Sequence, residues 1–323
     1  MKQEIFDESP EILIKFLSYL QTVKNKSAGT VYNYFCDLRI FFRYLKIKKY
    51  KSGNFENFNE ISILDITEDI LKNINLTDLF EYMNYLLESR QNQAASRSRK
   101  VSSLRTFFKF ITHKLNVIEI NPVEQLETAK KSKVLPKFLS LEQSQILLET
   151  VINSNSKFKE RDYCIILLFL NCGMRLSELV NINLQDIHDN NILKLKGKGN
   201  KERIIYLNNS CKRALDRYLE IRPKSGITDK NALFISRQNN RLSPKTVQLL
   251  VNKYLQKAGL FGLGLSVHKL RHTAATLMYQ HGKVDIRILK DILGHESLST
   301  TEIYTHTASE QIQKALESNP LSN

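Results

Sequence analysis

Along most of this chain apolar residues recur every three or four positions, the spacing of one face of a helix. Residues 190–207, NNILKLKGKGNKERIIYL, break that rule. Ile192, Leu193 and Leu195, then Ile204, Ile205 and Leu207, flank a glycine-rich basic turn at residues 197–200. That pattern predicts a β-hairpin. The fold class expected is therefore mainly α with a small β-hairpin or sheet.

The helical signals fall into two groups. Residues 8–23, 27–46, 77–89 and 96–115 each carry a helical period, the second opening on a capping-type Ser27 and the third on Thr77 with Asp78 in its first turn. LRIFFRYL at 38–45 and LRTFFKFI at 104–111 echo one another, as two amphipathic helices solving the same packing problem. Residues 51–66 are polar and irregular, which predicts a loop. A break follows, with Pro122, the basic run Lys130, Lys131 and Lys133, and Pro136. A new helix then starts at Ser140, with Glu142 and Gln143 in its first turn. The expected domains are a helical one at 1–130, a linker at 131–139 and a mixed one at 140–323. The basic linker fits a strap that grips a polyanion, or equally a solvated hinge. In the second domain Gly173, Gly259, Gly282 and Gly294 each close a helix, and Pro244 opens one.

With 323 residues, about two domains are expected. Lys and Arg number 48 against 33 Asp and Glu, a net charge of +15. Nucleic acid is the first partner this suggests, because a basic surface releases condensed counterions when it binds phosphate. An anionic membrane surface is the alternative. No apolar stretch approaches the roughly 18 residues of a spanning helix. The N-terminus, MKQEIFDESPEILIKFL, carries acidic residues and lacks a small-residue cleavage site, unlike a signal peptide. Cys36, Cys164, Cys172 and Cys211 have no metal-like C-x-x-C spacing and read as reduced structural thiols of a cytosolic protein.

Three stretches carry groups suited to phosphate. In SVHKLRHTAATLM, His268 and Arg271 lie three apart on one helix face near its N-terminus, where an anion is favoured. In NCGMRLSELV, Arg175 follows a glycine turn and opens a helix, with Glu178 three residues on. The hairpin tip presents Lys198. Taken singly, each has a plainer reading: an ordinary histidine, a surface ion pair worth little, a basic turn in water. A fourth stretch, LGHESLSTTEIYTH at 293–306, sets Tyr304 nine residues after His295. In that order the groups form one set. Two arginines and a lysine neutralise a pentacoordinate phosphorane without a metal, a histidine can serve as general base, and a tyrosine hydroxyl can form a covalent intermediate.

At these residues the chain resembles the tyrosine recombinases, the integrase-type site-specific recombinases. The matching stretches are MRLSEL, KGKGNKER, HKLRHTAAT and LGHESLSTTEIYTH, with LPKFLS at the start of the second domain. The resemblance covers essentially the whole chain and is nearest to the Xer-like members. It implies an all-helical core-binding domain and a mixed α+β catalytic domain that form a C-shaped clamp on duplex DNA. It implies Tyr304 as nucleophile, giving a 3′-phosphotyrosyl link and a free 5′-hydroxyl. Arg175 and Arg271 would hold the non-bridging oxygens and Lys198 would protonate the leaving oxygen. His268 would act as base or hydrogen-bond partner, His295 would contact the same phosphate, and Glu178 would brace the arginine or histidine. No metal and no cofactor are implied. His272 and His306 would lie outside the chemistry.

Weaker candidates for DNA contact are Arg97, Arg99, Lys100 and Arg105 in the first domain and Arg241 and Lys245 in the second. The partners implied are a double-stranded recombination site and a homo- or hetero-tetramer on two such sites, with a DNA translocase possible and no membrane. A C-terminal helix at about 308–318, with Ile312, Ala315 and Leu316 as its apolar stripe, would dock on a neighbouring protomer. Chromosome dimer resolution in a bacterial-type cytosol is the implied role. The alternatives are the integrase or transposase of a mobile element, a type IB topoisomerase-like enzyme, or an inactive DNA-binding protein.

Overall fold

The computed structural model describes residues 3–48, 57–127, 137–196, 202–282 and 284–294. Lys198, His295, Tyr304, His306, the turn at 197–200 and the helix expected at 308–318 lie outside the described residues, as does the linker from 131 to 136. The chain divides into two compact units, Met1–Lys133 and Val134–Asn323. Among the described residues no helix is long and apolar enough to cross a membrane.

The first unit is helical: α1 (Gln3–Glu8), α2 (Glu11–Thr22), α3 (Ala28–Lys48), α4 (Glu68–Lys72), α5 (Leu76–Glu88) and α6 (Ala94–His113). Ser27 Oγ accepts from the Thr30 amide at the start of α3, as expected of a cap. For α5 the cap is Asn75 rather than Thr77. Its side chain accepts from the Asp78 amide at 3.1 Å, while Asp78 Oδ2 accepts from the Asn75 amide at 2.9 Å. That reciprocal pair satisfies two of the amide donors that a helix start leaves free, which Thr77 as cap would not do with Asp78 next to it. The expected loop at 51–66 is irregular over its described part apart from a 3-10 turn at Phe58–Glu60, but it buries Ile61, Ile63 and Ile66. The short α4 follows it, capped by Thr67.

The two echoing sequences meet each other in this core. Phe42 and Phe107 lie edge to face with centroids 5.6 Å apart, and Phe41 and Phe108 likewise at 6.2 Å. All four are fully buried. Each buried phenyl ring contributes about 1.5–3 kcal/mol by leaving water. Edge-to-face pairing of such rings adds about 0.5–1.5 kcal/mol per pair.

The second unit has α7 (Leu141–Ile152), α8 (Lys159–Cys172), α9 (Leu176–Val180), β1 (Ile187–His188), β2 (Ile192–Lys196), β3 (Glu202–Tyr206), α10 (Asn209–Ile221), α11 (Pro244–Lys257), α12 (Val267–Gln280) and α13 (Ile286–Leu293). Ser140 caps α7 in a capping box with Gln143, and Ser243 caps α11 ahead of Pro244. Helix α8 is apolar nearly all round, burying Ile165, Ile166, Leu168 and Phe169, and α7, α10 and α12 pack about it. The two strands expected of the hairpin pair antiparallel, with Ile192 opposite Tyr206 and Lys196 opposite Glu202. It is part of a three-stranded antiparallel sheet in the order β1-β2-β3. The extra strand, β1, is only two residues long, too short to show an alternating pattern. The four cysteines are free, and Cys164, Cys172 and Cys211 are buried. Burial raises the Cys164 thiol well above its ordinary pKa, which keeps it protonated and inert.

Candidate active site

The site is assembled where α8 ends, α9 begins, and α12 and α13 pass close by. Gly173 closes α8 in the left-handed conformation, φ +56°. That conformation favours glycine, and a Cβ there would also meet Leu293 Cδ2 at 2.7 Å, so α13 passes close by. The sharp turn delivers Arg175 to the first position before α9. Its amide donates to Glu178 Oε2 at 2.7 Å, and its Nη1 donates to Glu178 Oε1 at 2.7 Å.

Glu178 is the hub. Its side chain is wholly buried. Arg203, on β3, donates from Nη2 to Oε2 at 2.8 Å and from Nε to Oε1 at 3.3 Å. Arg271, on α12, brings Nη1 to 3.9 Å from Oε2. Burial alone pushes a carboxyl upward in pKa. Here the hydrogen bonds and charge of Arg203, with those from Arg175, outweigh it and hold Glu178 below its ordinary value. One carboxylate among three guanidiniums leaves two net positive charges (three less one) in a largely enclosed place. This is no surface ion pair. Removing one partner of a buried ionic group typically costs about 3–5 kcal/mol.

The same three arginines cap α13. Arg203 Nη1 donates to the carbonyl of Ile292, Arg271 Nη2 to that of Leu293, and Arg175 Nη2 to that of Gly294 at 2.6 Å. A helix C-terminus leaves its last carbonyls without amide partners and carries partial negative charge, so cations are favoured there. Arg271 Nη1 also donates to Gly173 O at 2.7 Å, tying α12 to the end of α8. Gly294 adopts φ +63°, and a Cβ on it would lie 2.9 Å from Arg203 Cδ. His295 follows Gly294 in the sequence.

His268 lies in the first turn of α12, exposed, with His272 edge-on to it at 5.2 Å between centroids. Partial desolvation, then the charges of Arg271, Lys269 and Arg175, lower the pKa of His268. Burial, then His268, Lys269 and Arg271, push His272 down to about 4. Both imidazoles are therefore neutral near pH 7, the state in which one can accept a proton.

Of the residues picked from sequence, Arg175, Glu178, His268 and Arg271 come together. Arg203 was missed. It shares the strand face of Ile205, an inward position where an alternating strand places apolar residues, and an arginine there is a readable signal.

The weaker basic candidates divide. Arg99 is half-exposed and pairs with the buried Asp37. Arg97 and Arg105 donate to the carbonyls of Asn92 and Leu126. Lys245 is exposed at the first turn of α11. Two are turned inward. Lys100 is buried, its Nζ 3.6 Å from Asp37 Oδ1. Arg241 is spent inside the unit, on Asp229, on the carbonyls of Val180 and Ile182, and on Asn183.

Comparison with known proteins identifies the family. Residues 137–311 match the phage integrase family, and residues 13–114 match the phage integrase N-terminal SAM-like domain. Tyrosine recombinase XerC of Caldanaerobacter subterraneus subsp. tengcongensis is 49% identical over 97% of this chain and 88% of that protein. Tyrosine recombinase XerC of Leptospira interrogans serogroup Icterohaemorrhagiae is 33% identical over 93% of this chain and 90% of that protein. A solved structure of the XerH site-specific recombinase, bound to palindromic difH substrate after cleavage, shares the fold with a TM-score of 0.70. It is 23% identical and covers 95% of this chain and 94% of that one. The chain belongs to the phage integrase family and is an Xer-like tyrosine recombinase.

Proposed function

We propose that the clasp of Arg175 and Arg271 about Glu178 is the phosphate clamp of a site-specific recombinase, with Tyr304 as its nucleophile. The observation that carries this reading is the buried Glu178, which gathers two arginines from different elements beside a neutral His268. In the reaction, Tyr304 Oη attacks the scissile phosphorus and its proton passes to His268. The bond to the 5′-oxygen breaks, and Lys198 supplies the proton that makes it a hydroxyl. Arg175, Arg271 and His295 hold the non-bridging oxygens as charge builds on them. The phosphotyrosyl link conserves the bond, so the reverse attack by a 5′-hydroxyl rejoins a strand without an energy source. Arg97, Arg99, Arg105 and Lys245 are the basic side chains offered for phosphate contact, positioning the duplex rather than reading it.

On this reading the substrate is a double-stranded recombination site. The working form is a tetramer on two sites, with residues 308–318 docked on a neighbour. Chromosome dimer resolution in the cytosol, with a DNA translocase as partner, is the role this reading assigns.

A duplex nicked just beyond the cleavage point tests the chemistry. Wild type is expected to trap a covalent complex. Tyr304→Phe is expected to bind the duplex and form none, and Arg271→Ala to lose at least 100-fold in trapping rate. A Tyr304→Phe protein that still traps DNA would overturn the assignment. Relaxation of a supercoiled plasmid that carries no paired sites would point instead to a topoisomerase.

A further inference from the structure

We infer that Arg203 is a positioning residue of the strand-cleavage reaction, which sets the arginine clamp and the end of α13 in place without touching the DNA phosphate. The inference rests on the clamp reading above and extends it.

Four observations carry it. Arg203 is nearly enclosed, with 13% of its side chain exposed, less than the 34% of Arg175. All three of its nitrogens are used inside the protein: Nε and Nη2 on Glu178, and Nη1 on the Ile292 carbonyl. Its Cδ lies against Gly294, where a Cβ would come within 2.9 Å, so it packs on the residue that precedes His295 in the sequence. It stands on β3, two residues beyond the 197–201 segment that carries Lys198.

One side chain therefore connects three parts that the reaction needs in register. These are the strand that follows Lys198, the carboxylate that holds Arg175, and the helix end that leads to His295. Its planar fork matches a carboxylate edge and still reaches a carbonyl, which a lysine ammonium does less well. Without it, Glu178 would face Arg175 from its own helix start and Arg271 from α12, with the second of these at 3.9 Å. Glu178 would then hold its proton to higher pH, since Arg203 is the largest of the influences that lower it. A protonated Glu178 would release Arg175 from its set position.

The test compares wild type, Arg203→Ala and Arg203→Lys on the nicked duplex. It reads the rate of covalent trapping at saturating DNA across pH, and DNA affinity across salt. For Arg203→Ala the expected result is a loss of at least tenfold in trapping rate, with affinity within about twofold. The salt slope should be unchanged, because no phosphate contact is removed. The acid limb of the rate profile should move to higher pH. Arg203→Lys, which keeps the charge, should return the acid limb toward wild type and recover part of the rate. If the alanine variant shows no thermal transition, Arg203→Gln replaces it, keeping polar contacts while losing the charge. A trapping rate within twofold of wild type would overturn the inference. So would a rate loss with no movement of the acid limb, which marks a merely structural residue, or a salt slope reduced by about one, which marks a phosphate contact. Absence of trapping by wild type would instead refute the clamp reading itself.

Discussion

Glu178 shows how a residue's surroundings decide its worth. From sequence, Glu178 and Arg175 at i and i+3 are indistinguishable from a solvated pair of little value. Burial and two further guanidiniums turn the same carboxylate into the centre of the site. His272 carries a testable cost of this crowding. Its pKa falls from an ordinary 6.5 to about 4, through burial first and then through His268, Lys269 and Arg271. Between those two values the unfolded chain binds a proton that the folded chain does not, so stability must fall as pH drops through that window. Above pH 6.5 both forms are neutral and the penalty vanishes. At about 1.4 kcal/mol per pH unit the full effect is about 3 kcal/mol, which solvent screening of a half-buried imidazole reduces to about 2 kcal/mol. Replacing His272 with glutamine should remove it. Denaturant midpoints at pH 7.5 and 4.5 are expected to differ by less in His272→Gln than in wild type. An equal difference in the two proteins would show that another group is responsible.

At the scale of elements, local signals were readable wherever one residue type has one job. Gly173 and Gly294 close α8 and α13 with left-handed φ, and Ser140 caps α7 with Gln143, as the sequence suggests. Misreadings occurred where neighbours compete or where a partner is distant. Asn75 displaced Thr77 as the cap of α5, because it can form the reciprocal bond with Asp78. Strand β1 and helix α4 are too short to leave a period. Arg203 gains its meaning from Glu178, 25 residues earlier, and from Ile292, 89 later, which no local pattern reveals. The echo of LRIFFRYL and LRTFFKFI was visible, but that the two would pack against each other was not. Phe107 touches Phe16, Phe42 and Phe108 in edge-to-face geometry. Phe107→Ala should therefore destabilise the first unit by about 3–5 kcal/mol, the cost of a buried aromatic left as a cavity. Phe107→Leu should cost less, because it leaves a smaller void. Urea unfolding of the full chain measures both, and a loss below 1 kcal/mol for the alanine variant would mean that the core closes over the gap.

Across the whole molecule, a helical unit with its own aromatic core accompanies a second unit that contains the clasp. The net charge of +15 made nucleic acid the leading partner from composition alone, while only the order of motifs narrowed it to DNA strand exchange. What composition could not supply is the convergence of α9, β3 and α12 on one carboxylate, with the end of α13 held by the same arginines. The central claim is that this convergence serves a tyrosine nucleophile nine residues beyond His295. Mass spectrometry of the protease-digested covalent complex tests it most directly. The account predicts a nucleotide-phosphate adduct on Tyr304 alone, within the peptide that spans residues 293–306. An adduct on His306, on a serine or threonine of that stretch, or on any other tyrosine would contradict it.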